Sequence, residues 1–105
     1  MRVRRQNSHR RVGCPVKQVH AFYKGWVQGV GFRFTAERIA HELKLTGWVK
    51  NLADGRVELL AEGEEDLLKT FLERIRTGTL MSHIQREEVQ WTDATGKFKT
   101  FGIRF

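Results

Sequence analysis

Cysteine and long apolar runs are scarce in this chain, and their scarcity excludes several classes of protein. Cys14 is the only cysteine among the 105 residues, so an internal disulfide is excluded, as is any zinc site that needs several thiolates. No apolar segment is long enough to cross a bilayer, and the N-terminal stretch lacks the apolar centre of a secretory signal. These absences predict a cytoplasmic protein that does not bind a membrane.

Positive charge is concentrated at one end of the chain. The formal net charge is +7, but residues 1–16 contain five arginines and no acidic residue, which leaves 14 basic and 12 acidic residues elsewhere. We expect residues 1–16 to be a disordered basic leader and residues 17–105 to form one domain. We favour the interpretation that this leader is a flexible tail, or that the translation start has been placed too early. Binding to nucleic acid or anionic lipid and transit-peptide character are the alternatives.

Hydrophobic patterning predicts five strands and two helices. The strands are expected at 17–24, 46–52, 57–61 and 84–91, with a short final strand through Phe101, Ile103 and Phe105. Gly63 is expected to end the third strand, and residues 92–96 to form a turn. Apolar residues at helical spacing indicate one helix over about 33–44 and another from 64 to a stop at Gly78.

This order of elements predicts an α+β fold. The expected architecture is a ferredoxin-like two-layer sandwich, βαββαβ with an added short C-terminal strand. Two amphipathic helices would cover one face of a mainly antiparallel sheet. An Asp54-Gly55 turn would join the second and third strands as a hairpin.

The run GWVQGVGFR, residues 25–33, lies where the first predicted strand gives way to the first predicted helix. Gly25, Gly29 and Gly31 permit backbone angles that other residues avoid, so successive N–H groups can turn toward one point. The positive end of the helix dipole would be directed at the same point. Arg33 adds a planar fork of donors suited to a phosphate or a carboxylate. The run therefore predicts an anion-binding loop with phosphate as the expected anion, and it matches neither GxGxxG nor GxxxxGK[ST].

A second motif follows the first predicted helix. It reads GWVKN over residues 47–51 and continues with Gly55, Val57 and Gly63. Together with GWVQGVGFR, this motif resembles the two signatures of the acylphosphatases, small enzymes that hydrolyse the carboxyl–phosphate bond of acyl phosphates. The resemblance extends over about residues 17–105.

The resemblance implies an active site built from both motifs. Phosphate oxygens would be held by backbone N–H groups of Gln28, Gly29, Val30, Gly31, Phe32 and Arg33. Arg33 would also bind the phosphoryl group bidentately, and Asn51 would orient a water for in-line attack on phosphorus. The leaving group of an acyl phosphate is a carboxylate, so no strong base is required and we expect the proton to pass to the substrate's own phosphate. The resemblance thus implies a metal-independent, cofactor-free monomer acting on small acyl phosphates.

Two other functions compete with this interpretation. Acylphosphatase-like modules also form the front domain of hydrogenase-maturation carbamoyltransferases, where they handle carbamoyl phosphate. This chain ends directly after its last predicted strand, which favours the free-standing enzyme. The predicted element order is shared with RRM modules, but residues 55–61 on the third strand contain no aromatic residue for base stacking. We therefore expect no nucleic-acid binding except through residues 1–16.

Several conspicuous side chains have simpler interpretations. Trp48 and Trp91 are expected in the core or on a sheet face, and the acidic residues at 62–66 are expected to cap the second helix rather than bind a metal. Trp26 differs from the basic or polar residue that the family often carries there, so it would contact the acyl group, alter the rim of the loop, or pack against a neighbour. Lys24 adds positive field to the site or is an exposed strand lysine. None of the four histidines has metal-ligand spacing, and none is assigned to catalysis.

Overall fold

The computed structural model of the protein describes residues 15–105, and its elements follow the predicted order. In chain order they are β1 (Val16–Gly25), α1 (Phe32–Glu42), β2 (Thr46–Asn51), β3 (Val57–Glu64), α2 (Glu65–Thr77), a 3₁₀ turn (Met81–His83), β4 (Ile84–Asp93) and β5 (Phe101–Arg104). Most of the predicted leader, residues 1–14, lies outside the described residues. Val16 was predicted as its last residue but is the first residue of β1.

The strands form one sheet in the order β4-β1-β3-β2-β5. Neighbouring strands are antiparallel except β2 and β5, which run parallel. Both helices pack against the same side of this sheet. The predicted ferredoxin-like α+β sandwich with an additional strand is therefore confirmed. No helix among residues 15–105 is long and apolar enough to cross a membrane.

The hydrophobic core lies between the sheet and the two helices. Because side chains alternate along a strand, β1 and β3 each direct every second residue toward the helices. The largest fully buried side chains are Tyr23, Phe32, Phe71, Phe101, Leu59, Leu68, Leu72, Ile75, Val19, Val27, Val49 and Val57. Two of them, Val27 and Phe32, lie on either side of Gly29 and Gly31, so the glycine-rich part of this connection is anchored in the core at both ends.

The third strand does not end at Gly63, as predicted, but continues to Glu64. Gly63 pairs with Lys17 of β1 and lies against the side chain of Leu45. A Cβ atom at this position would overlap that leucine. The glycine therefore permits close packing within the strand rather than terminating it.

Two further boundaries differ from the predictions. β4 continues through Asp93 into the predicted turn, because Asp93 pairs with Lys17 of β1 and its carboxylate lies 3.0 Å from the lysine Nζ. α1 ends at Glu42 rather than near residue 44. Lys44 has a φ of 58°, a left-handed conformation that a helix cannot continue through.

Both tryptophans predicted for the core or a sheet face lie on the sheet. Trp48 is half-buried on β2, and its ring lies under the guanidinium of Arg104, 4.8 Å from Cζ to the ring centroid. Trp91 pairs with the buried Val19, which places it on the helix-covered face, where it remains 40% exposed.

Glu62 is buried and fixes the segment that follows β4. It is 4% exposed, and its carboxylate accepts hydrogen bonds from Gln18 Nε2, Thr95 N and Oγ1, and Gly96 N at 2.6–3.0 Å. It therefore does not cap α2 as predicted, whereas Glu65 and Asp66 do occupy the first turn of that helix. Burial alone would raise the pKa of Glu62, but the hydrogen bonds from Thr95, Gln18 and Gly96 outweigh it and hold the pKa below its ordinary value.

Glu62→Gln is expected to lower the free energy of unfolding by about 2–3 kcal/mol at pH 7. The glutamine would place its own NH₂ group where one carboxylate oxygen of Glu62 accepts hydrogen bonds, so donors would face donors. The pKa of Glu62 is lower in the folded state, so its contribution is present above the ordinary pKa of 4.5 and lost as the pH falls through the folded-state value. Urea unfolding should therefore show a smaller difference between wild type and variant at about pH 3 than at pH 7. Glu88→Gln, which removes an exposed pair with Arg86, is the control and should change stability by less than about 1 kcal/mol. If the effect of Glu62→Gln did not change with pH, the stabilisation would not come from the ionised carboxylate of Glu62.

Candidate active site

The connection between β1 and α1 is a loop of residues 26–31 that belongs to neither element. Gly29 and Gly31 have φ values of 79° and 82°, which residues with a Cβ rarely adopt. Thr35 N–H donates to the Gly31 carbonyl at 2.9 Å, and this bond begins the helix. The first N–H groups of a helix have no partner inside it. The loop and the first turn of α1 therefore present N–H donors and a positive helix end together.

A concave site of about 250 Å³ brings the two sequence motifs together. Arg33 lines it from the first turn of α1, and Asn51 lines it from the last residue of β2. The other lining residues are Val27, Gly29, Gly31, Phe32 and Phe34. Of the predicted phosphate-binding residues, Gln28 and Val30 do not line this cavity.

The side chain of Gln28 connects the loop to the β2–β3 hairpin. Its Nε2 donates to the carbonyl of Leu52 at 2.7 Å and to the carbonyl of Arg56 at 2.9 Å. The hairpin is closed by the Leu52 N–H, which donates to the Arg56 carbonyl at 2.8 Å. The hairpin also carries Asn51, so this one amide joins the backbones of both motifs. Sequence reasoning considered only the backbone of Gln28 and missed this contact.

Arg33 has an aromatic neighbour rather than an acidic one. Its Cζ lies 5.1 Å from the centroid of the Phe105 ring. Because β5 runs parallel to β2, the chain reaches Phe105 at the same end of the sheet as Asn51. Within residues 15–105, no carboxylate lies at ion-pair distance from Arg33. Its guanidinium is therefore not neutralised by an acid in this part of the chain.

Tyr23 supports the start of α1 from within the core. Its ring centroid lies 4.9 Å from that of Phe32, and its hydroxyl donates to Glu87 at 2.6 Å. Glu87 also accepts a hydrogen bond from Arg76 Nε at 2.7 Å. Burial and then the Glu87 carboxylate raise the pKa of Tyr23 above its ordinary value, so the hydroxyl stays protonated and remains a donor.

A larger cavity of about 470 Å³ borders the same loop but has different chemistry. It is lined by Lys24, Gly25, Trp26, Asp54, Gly55, Arg56 and Gln85. Trp26 is 76% exposed here, so it is not packed against a neighbour, one of the alternatives considered for it. The Asp54 carboxylate already pairs with Arg56 Nε at 2.9 Å, and neither Arg33 nor Asn51 lines this cavity. We therefore assign the candidate site to the smaller cavity.

Two of the three histidines in the described region, His20 and His41, have structural partners. His20 Nε2 lies 2.7 Å from Glu58 Oε2, and His41 Nε2 lies 2.8 Å from the carbonyl of Phe101. From residue 15 onward, no group of three or more His, Cys, Asp or Glu side chains is placed to hold a metal ion.

Comparison with known proteins identifies the family. The acylphosphatase family model matches residues 19–103, almost the whole of the described fold. The chain belongs to the acylphosphatase family. An acylphosphatase from Geobacillus thermodenitrificans is 40% identical over 90 residues, a match that covers 86% of this chain and 96% of the relative. The crystal structure of the acylphosphatase from Bacillus subtilis matches with a TM-score of 0.79 at 39% identity, over 85% of this chain and 99% of that one.

The hydrogenase-maturation alternative also has structural counterparts, two HypF structures that match at 25% and 36% identity. Full-length HypF in its phosphate- and nucleotide-bound form matches with a TM-score of 0.77 at 25% identity. That match covers 88% of this chain but only 12% of HypF. The acylphosphatases above match over nearly their whole length, so the comparisons favour an acylphosphatase, which is a hydrolase, over a HypF-like module.

Proposed function

We propose that this protein hydrolyses small acyl phosphates to a carboxylate and inorganic phosphate in the cavity shared by Arg33 and Asn51. The observation that carries the proposal is the meeting of these two residues, from separate motifs, around one glycine-rich loop. Phosphoryl transfer needs positioning and electrostatic stabilisation more than covalent chemistry. A cavity with a guanidinium, a neutral amide and loop N–H groups is suited to that task.

Phosphate binding is assigned to the loop and Arg33. The N–H groups from Gln28 to Arg33 would hold the non-bridging oxygens, assisted by the positive end of the eleven-residue α1. No acidic residue occupies the first turn of α1, so no side-chain carboxylate there competes for the helix end. The guanidinium fork of Arg33 would bind the same phosphoryl group bidentately and stabilise charge in the transition state.

Asn51 is assigned to the attacking water. A neutral amide can orient a water by accepting and donating hydrogen bonds, but it cannot remove a proton as a strong base. The substrate compensates because its leaving group is a carboxylate, and the water proton can pass to a phosphate oxygen. The water oxygen forms a bond to phosphorus, while the bond from phosphorus to the acyl oxygen breaks in line and leaves a carboxylate.

The test is release of phosphate from benzoyl phosphate by the purified chain, with phenyl phosphate as the matched control. Phenyl phosphate has the same ring but leaves as a phenolate, whose parent acid has a pKa of about 10, against about 4 for a carboxylic acid. We expect turnover of benzoyl phosphate, unchanged by a chelator, and no measurable turnover of phenyl phosphate. Absence of turnover, or equal turnover of both compounds, would contradict the proposal.

We further propose that the enzyme works as a monomer in the cytoplasm. The single cysteine supports a reducing compartment, where structural disulfides are rare.

Nucleic-acid binding through the sheet is disfavoured because cations of the protein already cover the aromatic rings. Arg56 Cζ lies 4.8 Å from the Phe22 ring centroid, and Arg104 Cζ lies 4.8 Å from that of Trp48.

Gln28→Ala is expected to lower kcat by about 10–100-fold, because an error of about 1 Å between reacting groups has an effect of this size. The inhibition constant of inorganic phosphate should change much less, since the loop N–H groups and Arg33 are retained. Steady-state kinetics with phosphate as a competitive inhibitor would measure both quantities. Gln85→Ala, which removes an exposed amide from the larger cavity, is the control. An unchanged kcat in Gln28→Ala would show that the hydrogen bonds from the Gln28 amide to the hairpin do not position the site.

A further inference from the structure

Phe34 is an exposed aromatic residue in the wall of the candidate site. It is 67% exposed, yet it lines the same cavity as Arg33 and Asn51. The buried face of α1 is formed by Phe32, Ala36, Ile39 and Ala40, and Phe34 is not part of it. Its ring therefore contributes little to the core while presenting apolar surface at the site.

The cavity has two chemically different parts. Among its described lining residues, Arg33 is the only charged one, and Asn51 is the only other residue with a polar side chain. Val27 and Phe32 are buried, so Phe34 is the one exposed residue among the described apolar side chains that line this cavity. One part of the site thus suits the phosphate, and the other suits an apolar group attached to it.

We propose that Phe34 is a specificity-determining residue, which binds the acyl group and selects acyl phosphates with apolar or aromatic acyl groups. The proposal rests on the proposed function. In-line attack places the acyl group opposite the water that Asn51 orients, so the acyl group must lie against another part of the cavity wall. An acyl group with its own carboxylate would find no second cation among the described lining residues.

Trp26 is another exposed aromatic residue next to the loop, and it supplies a matched control. It is 76% exposed but belongs to the larger cavity with Lys24 and Arg56, not to the cavity of Arg33 and Asn51. The sequence alone suggested Trp26 as a contact for the acyl group. The geometry points to Phe34 instead, and the two alanine variants separate these assignments.

The experiment measures kcat/KM for benzoyl, acetyl and succinyl phosphate with wild type, Phe34→Ala, Phe34→Tyr, Phe34→Lys and Trp26→Ala. Wild type should prefer benzoyl phosphate, and Phe34→Ala should reduce the benzoyl-to-acetyl ratio by about tenfold, the effect expected from loss of a small apolar contact. Phe34→Tyr should keep most of the preference, because it keeps the ring. Phe34→Lys should raise the succinyl-to-benzoyl ratio, because it adds a cation, and Trp26→Ala should leave all ratios within about twofold of wild type.

Three results would count against the proposal. Equal losses for benzoyl and acetyl phosphate in Phe34→Ala would show that the ring does not contact the acyl group. A larger change of ratio in Trp26→Ala than in Phe34→Ala would assign the acyl group to the other cavity. Both results leave the proposed function intact, whereas wild type without activity on any of the three substrates would overturn the function and this inference together. Circular dichroism and competition by inorganic phosphate would establish that each variant is folded and binds at the site.

Discussion

Arg33→Ala should lower kcat/KM for benzoyl phosphate by about 10³–10⁵-fold, the range found for an arginine that stabilises a transferring phosphoryl group. Arg33 is the only charged residue among the described residues that line the cavity. In residues 15–105 no acid pairs with it, so its charge is available to the substrate. The inhibition constant of inorganic phosphate should rise in the same variant, because the complex with phosphate also loses the hydrogen bonds of the Arg33 guanidinium.

Arg38→Ala provides the control for Arg33. Arg38 lies on the same helix, and its side chain is 59% exposed and pairs with Glu42 at 3.0 Å. It does not line the site, so its removal should change kcat/KM by less than about twofold. Arg33→Lys should fall between wild type and Arg33→Ala, because a lysine keeps the charge but loses bidentate binding. Activity in Arg33→Ala within about tenfold of wild type would contradict the assignment.

Asn51→Ala should lower kcat by about 10²–10³-fold, the effect of removing one preorganised hydrogen-bonding group from an active site. Phosphate affinity should remain within about threefold of wild type, because the loop and Arg33 still bind the anion. Steady-state kinetics together with phosphate competition would measure the two effects separately. Gln90→Ala is the control, since it removes an exposed amide from β4 and should have no effect on either quantity.

The two variants are most informative as a pair. The proposed roles require Arg33→Ala to lose both phosphate affinity and turnover, and Asn51→Ala to lose mainly turnover. If Asn51→Ala lost phosphate binding while Arg33→Ala retained it, the two assignments would be reversed. If both variants kept wild-type activity, the reaction would take place elsewhere, and the larger cavity with Trp26 would be the next candidate.

Local patterns were sufficient to predict the order of the elements. Alternation in β1 and β3 and the helical spacing of apolar residues in α1 and α2 each reflect burial of one face, and burial is periodic in sequence. The ends of elements were less accurate because they depend on partners distant in sequence. Gly63 continues β3 because of Leu45 and Lys17, and β4 reaches Asp93 because of the same lysine.

The candidate site shows the same division. Gly29, Gly31 and Arg33 lie within five residues of one another, so the backbone freedom of the glycines and the charge of the arginine were sufficient to predict an anion-binding loop before α1. The amide of Gln28 and the ring of Phe105 act across the fold, on the carbonyls of the hairpin and on Arg33. No local pattern indicates such contacts, because each depends on how the sheet brings remote segments together.

The Gln28 contact also affects which mutations the site can tolerate. Its amide donates only to main-chain carbonyls, so the side chains of Leu52 and Arg56 take no part in the bond. The tip of the hairpin can therefore change its residues over evolution without altering the alignment of the two motifs, provided the turn keeps its shape. Gly55, with a φ of 94°, limits that freedom because residues with a Cβ rarely adopt this conformation, and Asp54 limits it because its carboxylate accepts the Arg56 backbone N–H at 3.1 Å. The hairpin tip is thus a place where surface properties can diversify while the active-site geometry is inherited unchanged.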